Sequence, residues 1–245
     1  MAATVQDLVE LRATAFRIVE AQHRVATLKL VDTAAEHELL EDLIEQSKPE
    51  RVHTDLRGLH YLLATPFRYP PLRHGSRYGR RDERGLFYGS ETVPVALAEA
   101  AYYRLLFLAG TAAPIEHTVS EHTVFSVAIT TERGVDLTAG RFRLQRAVLA
   151  SPVDYGATQA LGSSMRTLGV EAFRSPSARA RGGVNLGVFS PSVFGSRQPR
   201  GLQTWHCTTT RQRVVFVRRD VLRHEEIEFG LDGFLVDGRL PAPAV

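Results

Sequence analysis

Gly75-Ser76-Arg77-Tyr78, Gly85-Leu86-Phe87-Tyr88-Gly89 and Ala96-Leu97-Ala98-Glu99 follow one another within one short span of the chain. Leu86-Phe87-Tyr88 is a brief apolar run bounded by glycine, the pattern of a buried strand. Thr92 and Pro94 then open a helix, with threonine at the N-cap and proline in the first turn. The run Val93 to Ala109 reads as a buried helix with a carboxylate, Glu99, set into it. From Thr92 to Ile115, Glu99 is the only acidic residue and Arg104 the only basic one. An ionised carboxylate in apolar surroundings is costly unless something is paired with it or bound to it. Arg104 lies five residues on, on a different helix face, and is a poor local partner. The partner of Glu99 must come from elsewhere in the fold, or from a ligand.

Outward from this stretch, strand and helix signals are interspersed without regular βαβ alternation, which predicts an α+β fold. Phe16-Arg17-Ile18-Val19 reads as a strand. Thr33 and Glu36 form a capping box for a helix with Leu39, Leu40, Leu43 and Ile44 on one face, ended by Pro49. Thr65 to Arg84 is rich in proline, glycine and arginine without periodicity, and reads as a long loop of the kind that often carries function. Thr123 to Thr130 is rich in β-branched residues, as a buried strand is. Asp154 caps a helix whose Ala157, Leu161, Met165 and Leu168 share a face and which stops at Gly169. Strands are expected at Val170–Phe173, Val184–Phe189, Arg213–Val217 and Ile227–Phe229. No internal repeat is present.

Composition narrows the function classes. The 245 residues suit one domain with insertions, and hydrophobic and charged contents of 44% and 23% are those of a globular protein. No apolar run approaches the ~20 residues that span a bilayer. The N-terminal Met1-Ala2-Ala3-Thr4-Val5-Gln6-Asp7 has no basic region followed by an apolar one, so no secretory signal is read there. A single cysteine, Cys207, excludes an intramolecular disulfide framework and fits a reducing compartment, so a cytoplasmic location is expected. Net charge is only +3, and Lys29 and Lys48 are the only lysines. Direct nucleic-acid binding is not expected from so small an excess. The densest basic cluster, Arg68, Arg73, Arg77, Arg80, Arg81 and Arg84, would draw in a polyanion such as a dinucleotide pyrophosphate. A solvated basic loop accounts for Arg80, Arg81 and Arg84 as well.

Several chemistries can be set aside. There is no phosphate-binding loop ending in Gly-Lys-Ser/Thr, and Gly182-Gly183 does not complete a dinucleotide fingerprint. His117 and His122 lie five apart, and His206-Cys207 are adjacent, so neither pair suits a tetrahedral zinc. No metal and no bound cofactor is expected. Arg77, Tyr88 and Glu99 differ because one chemistry would use them all. Cleaving an N-glycosidic bond to a cationic nicotinamide develops oxocarbenium character on the ribose, which a carboxylate stabilises. An arginine can grip a pyrophosphate through paired donors, and a tyrosine face can stack on nicotinamide or adenine. The structural alternative makes Tyr88 core, Glu99 an ion-pair member and Arg77 its partner. In Pro176-Ser177-Ala178-Arg179, a serine on a turn can offer its hydroxyl to a carboxamide or ribose, although serine in turns is common.

Taken together these residues resemble the RES-domain family, named for its arginine, glutamate and serine. The matching features are Thr65-Pro66-Phe67-Arg68-Tyr69, Gly-Ser-Arg-Tyr at 75–78, Gly-Leu-Phe-Tyr-Gly at 85–89, Ala-Leu-Ala-Glu at 96–99 and Pro-Ser-Ala-Arg at 176–179, with Asn185 in the next strand. Phe16-Arg17-Ile18-Val19 resembles the family's first strand. The resemblance extends from about residue 16 to about 195, in matching order. It implies a single domain over 1–245 with an ADP-ribosyltransferase-like mixed β core, surrounding helices, and residues 20–64 as a helical N-terminal elaboration. It implies a toxin of a toxin–antitoxin pair that consumes NAD by hydrolysis or phosphorolysis, with NAD as substrate rather than cofactor. A helix-turn-helix antitoxin of the Xre type is the partner it implies, and the helical insertion from Thr33 to Lys48 offers a surface for a partner or for a homodimer. By resemblance Arg77 binds the dinucleotide phosphates, Glu99 is the catalytic carboxylate, and Tyr88 and Ser177 line the nicotinamide–ribose site. The family's further Arg-Tyr pair maps onto Arg68 and Tyr69, while Arg17 occupies the first-strand position. Alternatives are a mono-ADP-ribosyltransferase acting on a protein, and a non-catalytic module binding a nucleotide or an antitoxin. Leu97, two positions before Glu99, stands where protein ADP-ribosyltransferases often carry an acidic or amide residue, and leans toward cleavage of free NAD.

Overall fold

The computed structural model describes residues 1–21, 54–69, 73–220 and 223–242, with Thr33, Glu36, Leu39, Leu40 and Leu43 between the first two segments. The strands are β1 (Leu8–Glu20), β2 (Phe87–Ser90), β3 (His117–Asp136), β4 (Ala172–Pro176), β5 (Val184–Val188), β6 (Arg200–Thr210), β7 (Arg213–Asp220) and β8 (Arg223–Gly230). The α-helices are α1 (Tyr61–Arg68), α2 (Val93–Ala109), α3 (Arg146–Leu149) and α4 (Gly156–Thr167). The fold is α+β, built on a mixed 8-stranded sheet in the order β1-β2-β5-β4-β3-β6-β7-β8. β1 also pairs with β3 along nearly its whole length, so β1, β2, β5, β4 and β3 form a ring. The ring closes between β1 and β2 through the single register pair Phe16↔Ser90. β3 leaves the ring at its N-terminal half, where its other edge carries β6 and then the β7–β8 hairpin.

Three apolar clusters follow from this layout. One packs Leu11, Phe87, Phe125, Ile129 and Leu186 of the ring against Leu56, Leu63 and Phe67. A second sets Leu161 and Met165 of α4 against Phe173, Val135 and Tyr78. The third lies under α2, where Leu97, Ala101, Tyr102 and Leu105 meet Val124, Trp205, Cys207 and Phe216. Helix α2 opens as expected, with Thr92 at the N-cap and Pro94 in the first turn. Its solvent side is nonetheless open, with Tyr103 and Phe107 exposed, so it is a half-buried helix rather than a fully buried one.

Other expectations are met or amended. Thr33 and Glu36 exchange the capping-box bonds, Thr33 N to Glu36 Oε2 at 3.0 Å and Glu36 N to Thr33 Oγ1 at 3.2 Å. Ile44, Pro49 and most of the 20–64 elaboration lie outside the described residues. Its last part, with Leu56, Leu59, Leu62 and Leu63, belongs to the first core cluster. The loop expected from Thr65 begins later. Helix α1 runs through Pro66 to Arg68, because Leu62, Leu63 and Phe67 form a helical face that the core buries. Asp154 Oδ1 accepts the N–H of Gly156 at 2.8 Å at the start of α4, and Gly169 ends that helix in the left-handed region at φ +74°. Strand β6 was not expected. Its signal is plain alternation, with Trp205, Cys207 and Thr209 buried between exposed neighbours, but the run is too polar to read as apolar.

Candidate active site

The loop that carries Arg77 is fixed from three directions. Gly75 turns the chain at φ +70°, and Ser76 and Gly79 bridge across the turn. Tyr88 on β2 reaches under the loop. Its hydroxyl accepts the Tyr78 N–H at 2.9 Å and shares a hydrogen with Ser76 Oγ at 3.0 Å. Gln159 of α4 donates to the carbonyls of His74 at 2.9 Å and Ser76 at 3.0 Å. Burial pushes the Tyr88 phenol up to about 12, so it remains a neutral hydrogen-bonding anchor. At Gly162 the helix touches the loop directly, since a Cβ there would lie 2.0 Å from the Tyr78 carbonyl oxygen. We expect Gly162→Ala to cost about 1–3 kcal/mol by overpacking. The melting temperature should fall and, because the displaced loop carries Arg77, ligand binding should weaken with it. An alanine variant with unchanged melting would show that the contact is slack.

Glu99 faces the loop from the second turn of α2. Its Oε1 accepts a hydrogen bond from Ser177 Oγ at 2.6 Å and another from Asn185 Nδ2 at 2.6 Å. Both donors are themselves aimed. Ser177 Oγ accepts the N–H groups of Arg179 at 3.1 Å and Ala180 at 2.9 Å, which leaves its one proton for Glu99. Ser90 Oγ donates to Asn185 Oδ1 at 2.7 Å, which fixes the amide so that its NH₂ points at the carboxylate. Among the described residues Oε2 has no hydrogen-bond partner, and Glu99 is on the cavity wall. Arg104 is engaged elsewhere, with Glu20 at 2.9 Å and Thr118 Oγ1 at 3.1 Å. Glu99 is thus held by neutral donors, and no arginine is its ion-pair partner.

The cavity between loop, helix and sheet has a volume of about 370 Å³ and contains Arg17, Arg77, Tyr88, Glu99, Tyr103, Tyr155, Arg179 and Asn185 in its wall. Glu99 is its only carboxylate among the described residues, and none of the arginines makes an ion pair there. Arg77 donates to the Ser151 carbonyl at 2.5 Å and lies over the Tyr155 ring at 4.5 Å. Arg17 donates to the Tyr88 carbonyl at 2.7 Å, while its Nε is buried with no partner. Burial alone lowers the Arg17 pKa to about 10. A half-buried guanidinium without a counter-ion is a costly arrangement that a bound anion would relieve.

Of the residues singled out in the sequence, Arg77, Tyr88 and Glu99 meet around one cavity, as one chemistry would need. Ser177 stands behind Glu99 rather than on the wall. Arg68 and Tyr69, at the end of α1, are not in the wall, and the first-strand arginine Arg17 is. The arginine cluster therefore divides. Arg77 enters the cavity, Arg84 pairs with Asp55 at 2.9 Å and lies over Phe67, and Arg80 and Arg81 are exposed. Arg84 is thus tied into a partly exposed ion pair, unlike its exposed neighbours in the same loop. Tyr155 and Ser90 are not singled out by the sequence, and Asn185 is a matching feature there with no role assigned to it. Asn185 follows a turn and sits in a strand, and only the pairing Ser90↔Asn185 reveals what it faces. His206 and Cys207 point to opposite sides of β6, and Cys207 is buried beside Thr209 with its thiol pKa raised by burial. Among the described residues no group of three or more His, Cys, Asp or Glu is placed to hold a metal ion. No helix among them is long and apolar enough to cross a membrane.

A family model described as the RES domain matches residues 48–210. The chain belongs to the RES-domain family. In this RES-domain protein the matched stretch includes Arg77, Tyr88, Glu99, Ser177 and Asn185, but not Arg17, which β1 brings in from outside it. No curated protein matches the chain. Among solved structures it is similar to a chain described as "Crystal structure of the M.tuberculosis MbcT-MbcA toxin-antitoxin complex", with 16% identity and a TM-score of 0.44. That likeness covers 83% of this chain and 87% of the other.

Proposed function

We propose that this RES-domain protein is the toxin of a toxin–antitoxin pair, and that it cleaves the nicotinamide–ribose bond of NAD by hydrolysis or phosphorolysis. The observation that carries the reading is the state of Glu99. One oxygen is locked by Ser177 and Asn185 and the other is open to a cavity whose arginines lack counter-ions. Arg17 and Arg77 would neutralise the pyrophosphate, and Tyr88 and Tyr103 offer aromatic surface to the nicotinamide end. As the C1′–N bond breaks, its electron pair leaves with nicotinamide and positive charge builds on the ribose. Glu99 Oε2 would stabilise that charge. A water or phosphate oxygen then bonds to C1′, and where water attacks, its proton passes to Glu99 and on to solvent.

Leu97, fully buried against the sheet, leaves no acidic or amide side chain two positions before Glu99 for a protein acceptor. This favours free NAD cleavage over mono-ADP-ribosylation of a protein. Purified protein, freed of any antitoxin, should deplete NAD and release nicotinamide. ADP-ribose formed without phosphate would mark hydrolysis, and ADP-ribose-1″-phosphate phosphorolysis. Intact NAD with label transferred to a protein would overturn the reading in favour of the transferase. Co-expression with an adjacent helix-turn-helix gene should relieve growth arrest.

Ser177 and Asn185 act on the chemistry through Glu99. Ser177→Ala or Asn185→Ala removes one charge-assisted hydrogen bond, about 1.5–3 kcal/mol, and should slow cleavage about 10–100-fold. The loss should fall on kcat more than on KM, because neither side chain is needed to hold the phosphates. Equal losses in both constants would remove the positioning role.

A further inference from the structure

Arg179 is the cavity cation that the proposed chemistry leaves without a task. It follows Ser177 on the β4–β5 turn, and its guanidinium lies 3.4 Å from the centroid of the Tyr102 ring. Its Nη2 donates to the Pro152 carbonyl at 3.2 Å. Arg77 donates to the carbonyl of Ser151, the residue immediately before. Both cations thus hang from consecutive carbonyls on the same lip of the cavity, and each keeps unused donors of the five on a guanidinium. Two like charges on one cavity wall favour an anion bound between them, and neither arginine makes an ion pair among the described residues.

We propose that Arg77 and Arg179 form a two-point clamp on the diphosphate of the ligand, with Arg179 the residue that separates a diphosphate from a monophosphate. Two planar forks hung from adjacent points match two linked phosphates, each offering oxygens to one fork. The clamp is braced from the far end of the chain. Tyr102 is fully buried, and its hydroxyl donates to the Pro241 carbonyl at 2.5 Å. That bond holds the ring on which Arg179 rests, and Pro241 lies outside the stretch 48–210 that matches the family. The C-terminal segment after β8 is therefore a positioning element for the site. Identifying the diphosphate as that of NAD rests on the function proposed above. The clamp itself does not.

The test is calorimetric titration of ADP and of AMP into the unmodified protein and into Arg179→Met, Arg179→Lys and Tyr102→Phe. The unmodified protein should bind ADP about ten-fold or more tighter than AMP, and Arg179→Met should bind both at about the AMP level. Lysine keeps the charge but loses the fork and the stack, so Arg179→Lys should not restore the preference. Tyr102→Phe should lower the ADP-to-AMP ratio although the ring remains, which a purely structural role would not do. A folded Arg179→Met protein with the original ratio overturns the clamp, as does an unmodified protein that fails to distinguish the nucleotides. Should Arg179→Met not fold, an unchanged ratio in the other two variants overturns it equally. ADP preference without any NAD cleavage would sink the proposed function and leave the clamp. NAD cleavage with an ADP preference indifferent to Arg179 would do the reverse.

Discussion

Glu99→Gln should lower nicotinamide release from NAD by about 10³-fold while the protein remains folded. Glutamine is nearly isosteric, and its carbonyl oxygen can accept the same hydrogen bonds from Ser177 and Asn185. The amide NH₂ would then occupy the position of Oε2. A donor replaces an anion where positive charge develops on the ribose, so the transition state loses its stabilisation while the local packing persists. Substrate binding should weaken far less than turnover, because on the proposed reading the cavity arginines, and not Glu99, hold the phosphates. The check is nicotinamide release under saturating NAD, together with a melting curve. Full turnover by a folded Glu99→Gln protein would end the assignment of Glu99 as the catalytic carboxylate.

Arg17→Met should move activity and stability in opposite directions. On the function proposed above, removing this guanidinium costs a phosphate contact and should reduce kcat/KM for NAD by about 10²-fold or more, chiefly through KM. The same change removes a half-buried cation with no counter-ion and a buried, unpartnered Nε. Folding lowers the Arg17 pKa to about 10, so the charged form is penalised in the folded state at every pH below that value. The penalty is relieved only as pH rises through the folded pKa, hence it is present in full near neutrality. Methionine fills similar volume without charge, and the melting temperature of Arg17→Met should hold or rise. The Tyr88 carbonyl loses one donor and offsets part of the gain. A variant both less stable and fully active would mean that Arg17 is structural. Added ADP-ribose should raise the melting temperature of the unmodified protein much more than that of the variant.

The sequence made the site partly legible because several of its parts are local. Arg77, Tyr88 and Glu99 recur on a loop, a strand and a helix in quick succession, and an isolated carboxylate in an apolar helix is visible without coordinates. Glycine and proline punctuated the same span, so α2 and β2 could be placed closely. The capping box at Thr33 and the stop at Gly169 were likewise readable from neighbouring residues. What failed was long-range. Strand β6 alternates correctly, but its exposed face is polar and its inward Thr209 carries no apolar signal. Arg68-Tyr69 matches a family motif, and α1 places it outside the wall of the cavity that holds Glu99. Arg17 is brought into the cavity by β1, which lies between β2 and β3 although it is some seventy residues from the first and a hundred from the second.

The sequence alone determined that a carboxylate would sit in an apolar helix without a partner on that helix, because helical spacing excludes Arg104. Only the tertiary structure decided what holds that carboxylate and what faces it. Ser177 and Asn185 reach Glu99 because β4 and β5 pair beside β2, and register is set by contacts across strands rather than along the chain. The same pairing leaves Oε2 open and sets Arg17, Arg77 and Arg179 around one cavity. Helix periodicity is a property of neighbours in sequence, and so can be read there. Which side chains converge on a cavity depends on how the ring of strands closes, and that was settled by packing.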